Sequence, residues 1–169
     1  MKKAFLGIFL LTLGCAGARA QGAIYAGLSS ADFHKANVGW QFGPTLGAYW
    51  DPVGVPQVRA GLDARGSWIG SGDSKDDSFM VGPRVQVKPH AIPMMPYAEI
   101  LGGVSQVTIG QGSAQSSGTN FSWQFAAGVD VTFSPHLDMR AEYARADVGD
   151  LGQSFHPAEI TTGLVLRLP

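Results

Sequence analysis

From Phe121 to Phe133 the chain alternates without a break. Phe121, Trp123, Phe125, Ala127, Val129, Val131 and Phe133 fall on one face of an extended strand, and Ser122, Gln124, Ala126, Gly128, Asp130 and Thr132 fall on the other. The apolar face carries aromatics at both ends and smaller side chains between them. A soluble strand buries such a face in a core. A bilayer-spanning strand turns it toward lipid, with the aromatic ends at the two interfaces. Period-two segments of this kind recur near 23–33, 38–50, 57–69, 79–88, 96–108, 120–133, 137–146 and 158–168, separated by Gly, Pro, Ser and Asp clusters. Each has about ten residues or slightly more, the length a tilted strand needs to cross a bilayer. The connectors at 51–56, 89–95 and 134–136 are compact and carry prolines, whereas those at 70–78, 109–119 and 147–157 are longer and rich in Gly, Ser, Asp and Gln. The pattern predicts an all-β fold: an eight-stranded antiparallel up-and-down transmembrane β-barrel.

Strand phase sorts the side chains. Outward positions include Trp40, Phe42, Leu46 and Trp50, then Leu62 and Trp68, Phe79 to Val87 at every second place, Met139 and Tyr143, and Ile160, Leu164 and Leu166. The aromatics fall into two candidate membrane-interface belts: Phe33, Trp40, Trp68, Phe79, Phe121 and Trp123 at outer strand ends, and Tyr25, Trp50, Tyr97 and Phe133 at inner ends. Of these, Tyr25, Phe33 and Tyr97, like Tyr49, take the inward phase unless their strands bulge. The inward phase also collects Arg59, Asp63, Arg65, Arg84, Lys88, Glu99, Asp130, Asp138, Arg140, Glu142, Glu159 and Arg167, six basic and six acidic groups. An eight-strand barrel is only wide enough for its own side chains. These charges are therefore expected to pair as a lumen network that plugs the interior, because an unpaired buried charge costs several kcal/mol.

Ahead of the first strand, Lys2 and Lys3, the apolar run Ala4 to Leu13 and the Ala18-Arg19-Ala20 site read as a cleaved signal peptide over 1–20, with the barrel domain over 21–169. The lone Cys15 falls within that signal, so no disulfide framework is expected. Of the 12 Lys and Arg, three precede Gln21, leaving nine against 13 acidic residues. That balance does not suggest nucleic-acid binding. Beyond the signal no run of eighteen apolar residues exists, so a membrane form must be a closed barrel.

The eight alternating segments, the signal and the stretch L-D-M-R-A-E-Y-A-R from Leu137 to Arg145 resemble bacterial outer-membrane β-barrel domains of the OmpA/OmpX type. The resemblance covers 21–169. It implies a monomer in the outer membrane, with outer-membrane lipid, lipopolysaccharide and the barrel-assembly machinery as partners. Function is left open, since the architecture hosts adhesins, anchors, small channels and lipid-modifying enzymes. The chain departs from the family pattern at Leu166-Arg167-Leu168-Pro169, where an aromatic end is usual.

Candidate chemistry is sparse. His90 and His136 fall in short turns, His34 and His156 near the outer rim, and none has metal-ligand spacing. Ser154, His156 and Glu159 contain the residue types of a hydrolytic triad. The segment with Asp73, Lys75, Asp76 and Asp77 reads as a solvated loop, 110–118 as a flexible one, and Gly43-Pro44 and Gly82-Pro83 as bulges or bends. The expected function is that of a non-enzymatic barrel without cofactor or metal, acting in envelope integrity or loop-mediated surface contacts. The alternatives are a soluble lipocalin-like barrel binding an apolar ligand, which needs the reverse phase, and a small-conductance pore.

Overall fold

The computed structural model describes residues 21–32, 39–71, 74–109, 116–150, 153–155 and 157–168. The predicted signal peptide, Phe33, His34 and His156 lie outside the described residues. Eight long strands, β1 (Gln21–Asp32), β2 (Trp40–Val55), β3 (Val58–Ser71), β4 (Ser74–Val87), β5 (Met94–Ile109), β6 (Ser116–Ser134), β7 (Leu137–Asp150) and β9 (Ala158–Arg167), form antiparallel pairs in order around the sheet. The three-residue β8 (Gln153–Phe155) folds back on the outer end of β7. Then β9 pairs with both β7 and β1, which closes the eight long strands into the barrel that the alternation predicts. Closure gives each of the eight long strands two neighbours, the condition for crossing hydrocarbon with strands.

The ladder is staggered. A circuit from Asp147 through Trp123, Gly102, Val81, Ala64, Ala48, Ile24 and Leu166 closes at Leu137, ten residues from its start. That stagger requires strands tilted by about 35–45° to the barrel axis. At the inner end, Pro56 and Pro135 occupy the second position of tight turns closed by the pairs Val55–Val58 and Ser134–Leu137. Proline presets the backbone angle that position needs.

The outer end differs from the expected long loops. Trp68–Asp77, Ile69–Asp76, Gly70–Lys75 and Ser71–Ser74 are paired ladder positions, so the described part of 70–78 continues the β3–β4 hairpin. Likewise β5 runs to Ile109 and β6 starts at Ser116, and β7 and β8 form a further hairpin. The outward positions of β4 there are Lys75 and Asp77, both exposed, so apolar alternation stops while backbone pairing continues. The sequence marks the first boundary and not the second.

Gly43-Pro44 and Gly82-Pro83 are not bulges. The β1–β2 and β3–β4 registers run through them unbroken. Instead β2–β3 pairing begins only at Thr45, and β4–β5 pairing skips Gly82 and Pro83, because proline has no N–H to give that neighbour. The register shifts lie near the inner end, between Trp50 and Val53 and between Thr132 and Ser134.

The two faces are inverted relative to a soluble protein. Leu46, Leu62, Phe79, Val81, Phe125 and Leu164 are exposed on the outer wall, while Asp63, Arg84, Asp130 and Asp138 are fully buried inside. A polar interior and an apolar exterior exclude the lipocalin-like reading. Leu164→Arg should therefore destabilise the barrel by about 2–4 kcal/mol, measured by urea titration of the chain refolded in lipid vesicles; an unchanged midpoint would show that this wall does not face hydrocarbon.

Candidate functional site: the charged lumen

Alternation sends Asp63 and Arg65 of β3, Arg84 and Gln86 of β4, Glu99 of β5, Asp130 of β6, and Arg140 and Glu142 of β7 into the lumen, and none is more than 4% exposed. Arg65 contacts the carboxylates of Glu142 and Glu99 and lies 3.4 Å from Asp63. Arg84 donates to Asp130 at 2.9 Å and stands 3.6 Å from Glu99. Arg140 grips Asp130 with two donors, Nε at 2.8 Å and Nη2 at 3.0 Å, and, with Arg84 already bound, Gln86 is the fourth donor to this carboxylate, at 3.2 Å. The chain Glu142–Arg65–Glu99–Arg84–Asp130–Arg140 thus passes through five strands and returns to β7, where it began.

Two of these contacts join ladder partners, Arg84 with Glu99 and Asp130 with Arg140. The Arg65–Glu142 contact joins β3 to β7, strands that are not neighbours in the sheet, so it crosses the lumen.

Three tyrosines complete the cluster. The Tyr25 hydroxyl donates to Asp63 at 2.7 Å and the Tyr97 hydroxyl to Glu142 at 2.6 Å. The Arg84 guanidinium lies 3.8 Å from the Tyr97 ring centre and 4.2 Å from that of Tyr49. Arg140 lies 4.1 Å from Tyr25 and 4.7 Å from Tyr97. A desolvated guanidinium gains about 2 kcal/mol from each well-placed aromatic face.

Tyr25 and Tyr97 are therefore lumen residues and not members of the inner belt. Their strands carry no bulge at these positions, so the inward phase persists. Glycine makes room for both rings: Gly47 pairs with Tyr25 and Gly128 with Tyr97. A Cβ at Gly47 would meet the Tyr25 ring at 2.3 Å, and one at Gly128 the Tyr97 ring at 2.6 Å. The signal available in the sequence was the inward phase of both tyrosines; the glycines opposite them are set by the register. Of the remaining belt candidates, Trp40, Trp68, Phe79, Phe121, Trp123 and Phe133 are exposed on the outer wall and Trp50 is half-buried.

The other charged candidates sit apart from the central cluster. Arg167 pairs with Asp138 at 2.9 Å and donates to the Ser134 carbonyl at 3.1 Å near the inner mouth, and Arg59 is half-buried near the inner end of β3. Lys88 is exposed, because β4 ends at Val87 and the lysine precedes Pro89 in the turn. Glu159 is held by neutral donors, Gln124 at 2.8 Å and Thr161 at 3.2 Å, rather than by an arginine. It adjoins a polar layer in which Thr161, Ser29, Thr45 and Ser67 form a hydroxyl chain. The Glu159 carboxylate therefore faces the lumen; His156, the base of the hydrolytic-triad candidate, lies outside the described residues. His90 and His136 are exposed turn residues.

A family model described as "Outer membrane protein beta-barrel domain" matches residues 6–167. The chain belongs to that family. Among solved structures, this outer-membrane barrel is similar to Ail, the attachment invasion locus protein of Yersinia pestis, with a TM-score of 0.66 and 12% identity over 89% of this chain and 100% of Ail. It is similar to Neisserial surface protein A, with a TM-score of 0.57 and 16% identity over 87% and 96% of the two chains. The outer membrane enzyme PagL is also similar, with a TM-score of 0.51 and 15% identity over 86% and 98%. These likenesses establish the fold. No curated protein matches the sequence of this barrel.

Arg65→Ala strips Glu142 and Glu99 of their shared partner and should cost about 3–5 kcal/mol of stability in vesicles; the same substitution with Glu142→Gln added should cost less than Arg65→Ala alone. A loss under about 1 kcal/mol for the single variant would remove Arg65 from the centre of the cluster. Gly128→Ala pushes a methyl against the Tyr97 ring and the Ala141 carbonyl and should cost about 1–3 kcal/mol, read from the same unfolding curves.

Proposed function

We propose that this outer-membrane barrel is non-enzymatic, that its charge-filled lumen bars conduction, and that its outer hairpins serve envelope integrity or contacts at the cell surface. One observation carries the reading: Arg65, Arg84 and Arg140 are paired with Asp63, Glu99, Asp130 and Glu142 and packed against Tyr25, Tyr49 and Tyr97 across the barrel's interior. An ion passing through would have to separate partners that are buried together, at several kcal/mol for each charge left uncompensated. The carboxylates of the cluster are buried against cations, which keeps them from serving a substrate as a nucleophile or base.

The hairpins support the second part. The β3–β4, β5–β6 and β7–β8 ladders extend past the apolar wall, and the first two present exposed polar residues such as Lys75, Asp77 and Thr119. Paired strands hold such groups on a rigid frame, which lowers the entropy lost when a partner binds. The likeness to an attachment invasion protein and to a surface protein favours this use of the fold. The likeness to PagL keeps an enzymatic reading in the family, and the lumen-facing Glu159 weighs against it here.

Planar-bilayer recording tests the seal. Wild-type chain should give no steady conductance, and Arg84→Ala combined with Arg140→Ala should give one. Ohmic steps from wild-type protein would overturn the plug. For the envelope role, cells deprived of the chain should admit more of a bulky dye or lose surface adhesion; cells unchanged in both respects would remove that half of the proposal.

A further inference from the structure

The lipid-facing wall is not uniform. A groove of about 610 Å³ runs over the small side chains Ala98 and Ala127, between Ile100, Phe125 and Tyr143, and Arg145 closes one end. All of these residues face outward, and Arg145 is exposed. A second hollow on the wall, about 390 Å³, is lined by Ile24, Ala26, Leu46, Leu164 and other uncharged residues. Of these two, the first combines an apolar trough with a cation.

Height matters here. The ladder pairs Arg145 with Phe125. The barrel stagger of roughly one residue per strand raises Arg145 above that partner, level with Gln124 and Trp123. Trp123 and Phe125 lie 5.8 Å apart, ring centre to ring centre, and the exposed aromatics Trp68, Phe79, Phe121 and Trp123 share this outer region. Arg145 therefore stands where headgroup phosphates stand, and the trough descends from it toward mid-membrane.

We propose that this groove binds an anionic lipid of the outer leaflet, the phosphorylated acyl-chain portion of lipopolysaccharide, with a phosphate on Arg145 and an acyl chain over Ala98 and Ala127. A guanidinium near mid-membrane is costly, and the cost falls to near zero at the interface. There its planar fork matches phosphate oxygens two at a time. The alanines supply the depth: a leucine at either position would fill the trough that receives the chain. Asp147 borders a smaller hollow that it shares with Arg145 and Phe125, so the lipid approaches from the trough side. The site rests on the outer wall and not on the sealed lumen, so a conducting wild-type chain would leave it standing.

The test titrates the refolded full-length barrel, in detergent micelles, with bisphosphorylated lipid A and in parallel with the same lipid stripped of phosphate. Native mass spectrometry counts the lipid bound. Wild-type chain should hold the phosphorylated lipid at least tenfold more tightly. Arg145→Gln should abolish that preference, Ala127→Leu should weaken retention of both lipids, and Lys75→Gln, an outward cation far from the groove, should change neither. Each variant is first checked for the fast-migrating unboiled band of a folded barrel. Equal retention of the two lipids by wild type would overturn the site. So would an Arg145→Gln chain that behaves as wild type, or displacement of the lipid by millimolar inorganic phosphate.

Discussion

Everything in this barrel depends on how three guanidiniums survive burial in a lumen only one side chain deep. Arg65, Arg84 and Arg140 are each within 3% of complete burial. Ions so placed lose most of their hydration, a penalty of several kcal/mol each even after the protein relaxes. Two interactions offset it together. Carboxylates meet the edges of the guanidiniums, and the faces of Arg84 and Arg140 lie on tyrosine rings. Carboxylates alone would leave those π faces bare, and tyrosines alone would leave the N–H donors unmet.

That requirement reaches back into the backbone. The Tyr25 and Tyr97 rings need space over the neighbouring strand, and Gly47 and Gly128 provide it. The phenol hydroxyls then extend to Asp63 and Glu142, which ties the stack to the ion pairs. Because the circuit passes through β3, β4, β5, β6 and β7, it fixes those strands from inside as the ladder fixes them from the wall. The outer third of the lumen is built differently, with hydroxyl chains and Glu159 on neutral donors. Ion pairs thus fill the middle and inner lumen, from Arg65 down to Arg167 and Asp138, and the outer part is held mainly by neutral polar groups.

The exterior obeys the complementary rule. Lipid solvates apolar side chains well and charges poorly, so the wall is apolar except where a charge can reach the interface. Arg145 is such a place. The polar ends of β3 to β8 continue as paired strands because water does not penalise either face of a ladder whose backbone bonds are made. Gly70, Ser71 and 74–78 therefore read as loop by composition and fold as hairpin strands by pairing.

What the sequence determined by itself was phase. Alternation is a property of consecutive residues, so it fixed the closed all-β barrel, its apolar wall and its charged interior without reference to any contact. It also held Tyr25 and Tyr97 in the inward phase, although their aromatic character suggested a place at the interface. Pairing was beyond it. The ten-residue stagger, the contact of Arg65 with Glu142, 77 residues on, the bond of Tyr25 to Asp63, 38 residues on, and the stacking of Arg84 between Tyr49 and Tyr97 all join residues of different strands. Such contacts depend on register and closure, which no local pattern encodes, and they exclude Lys88 and set Glu159 apart although both share the charge of their neighbours. Only the closed ladder decides which charges lie level with one another, and level charges are the ones that can pair.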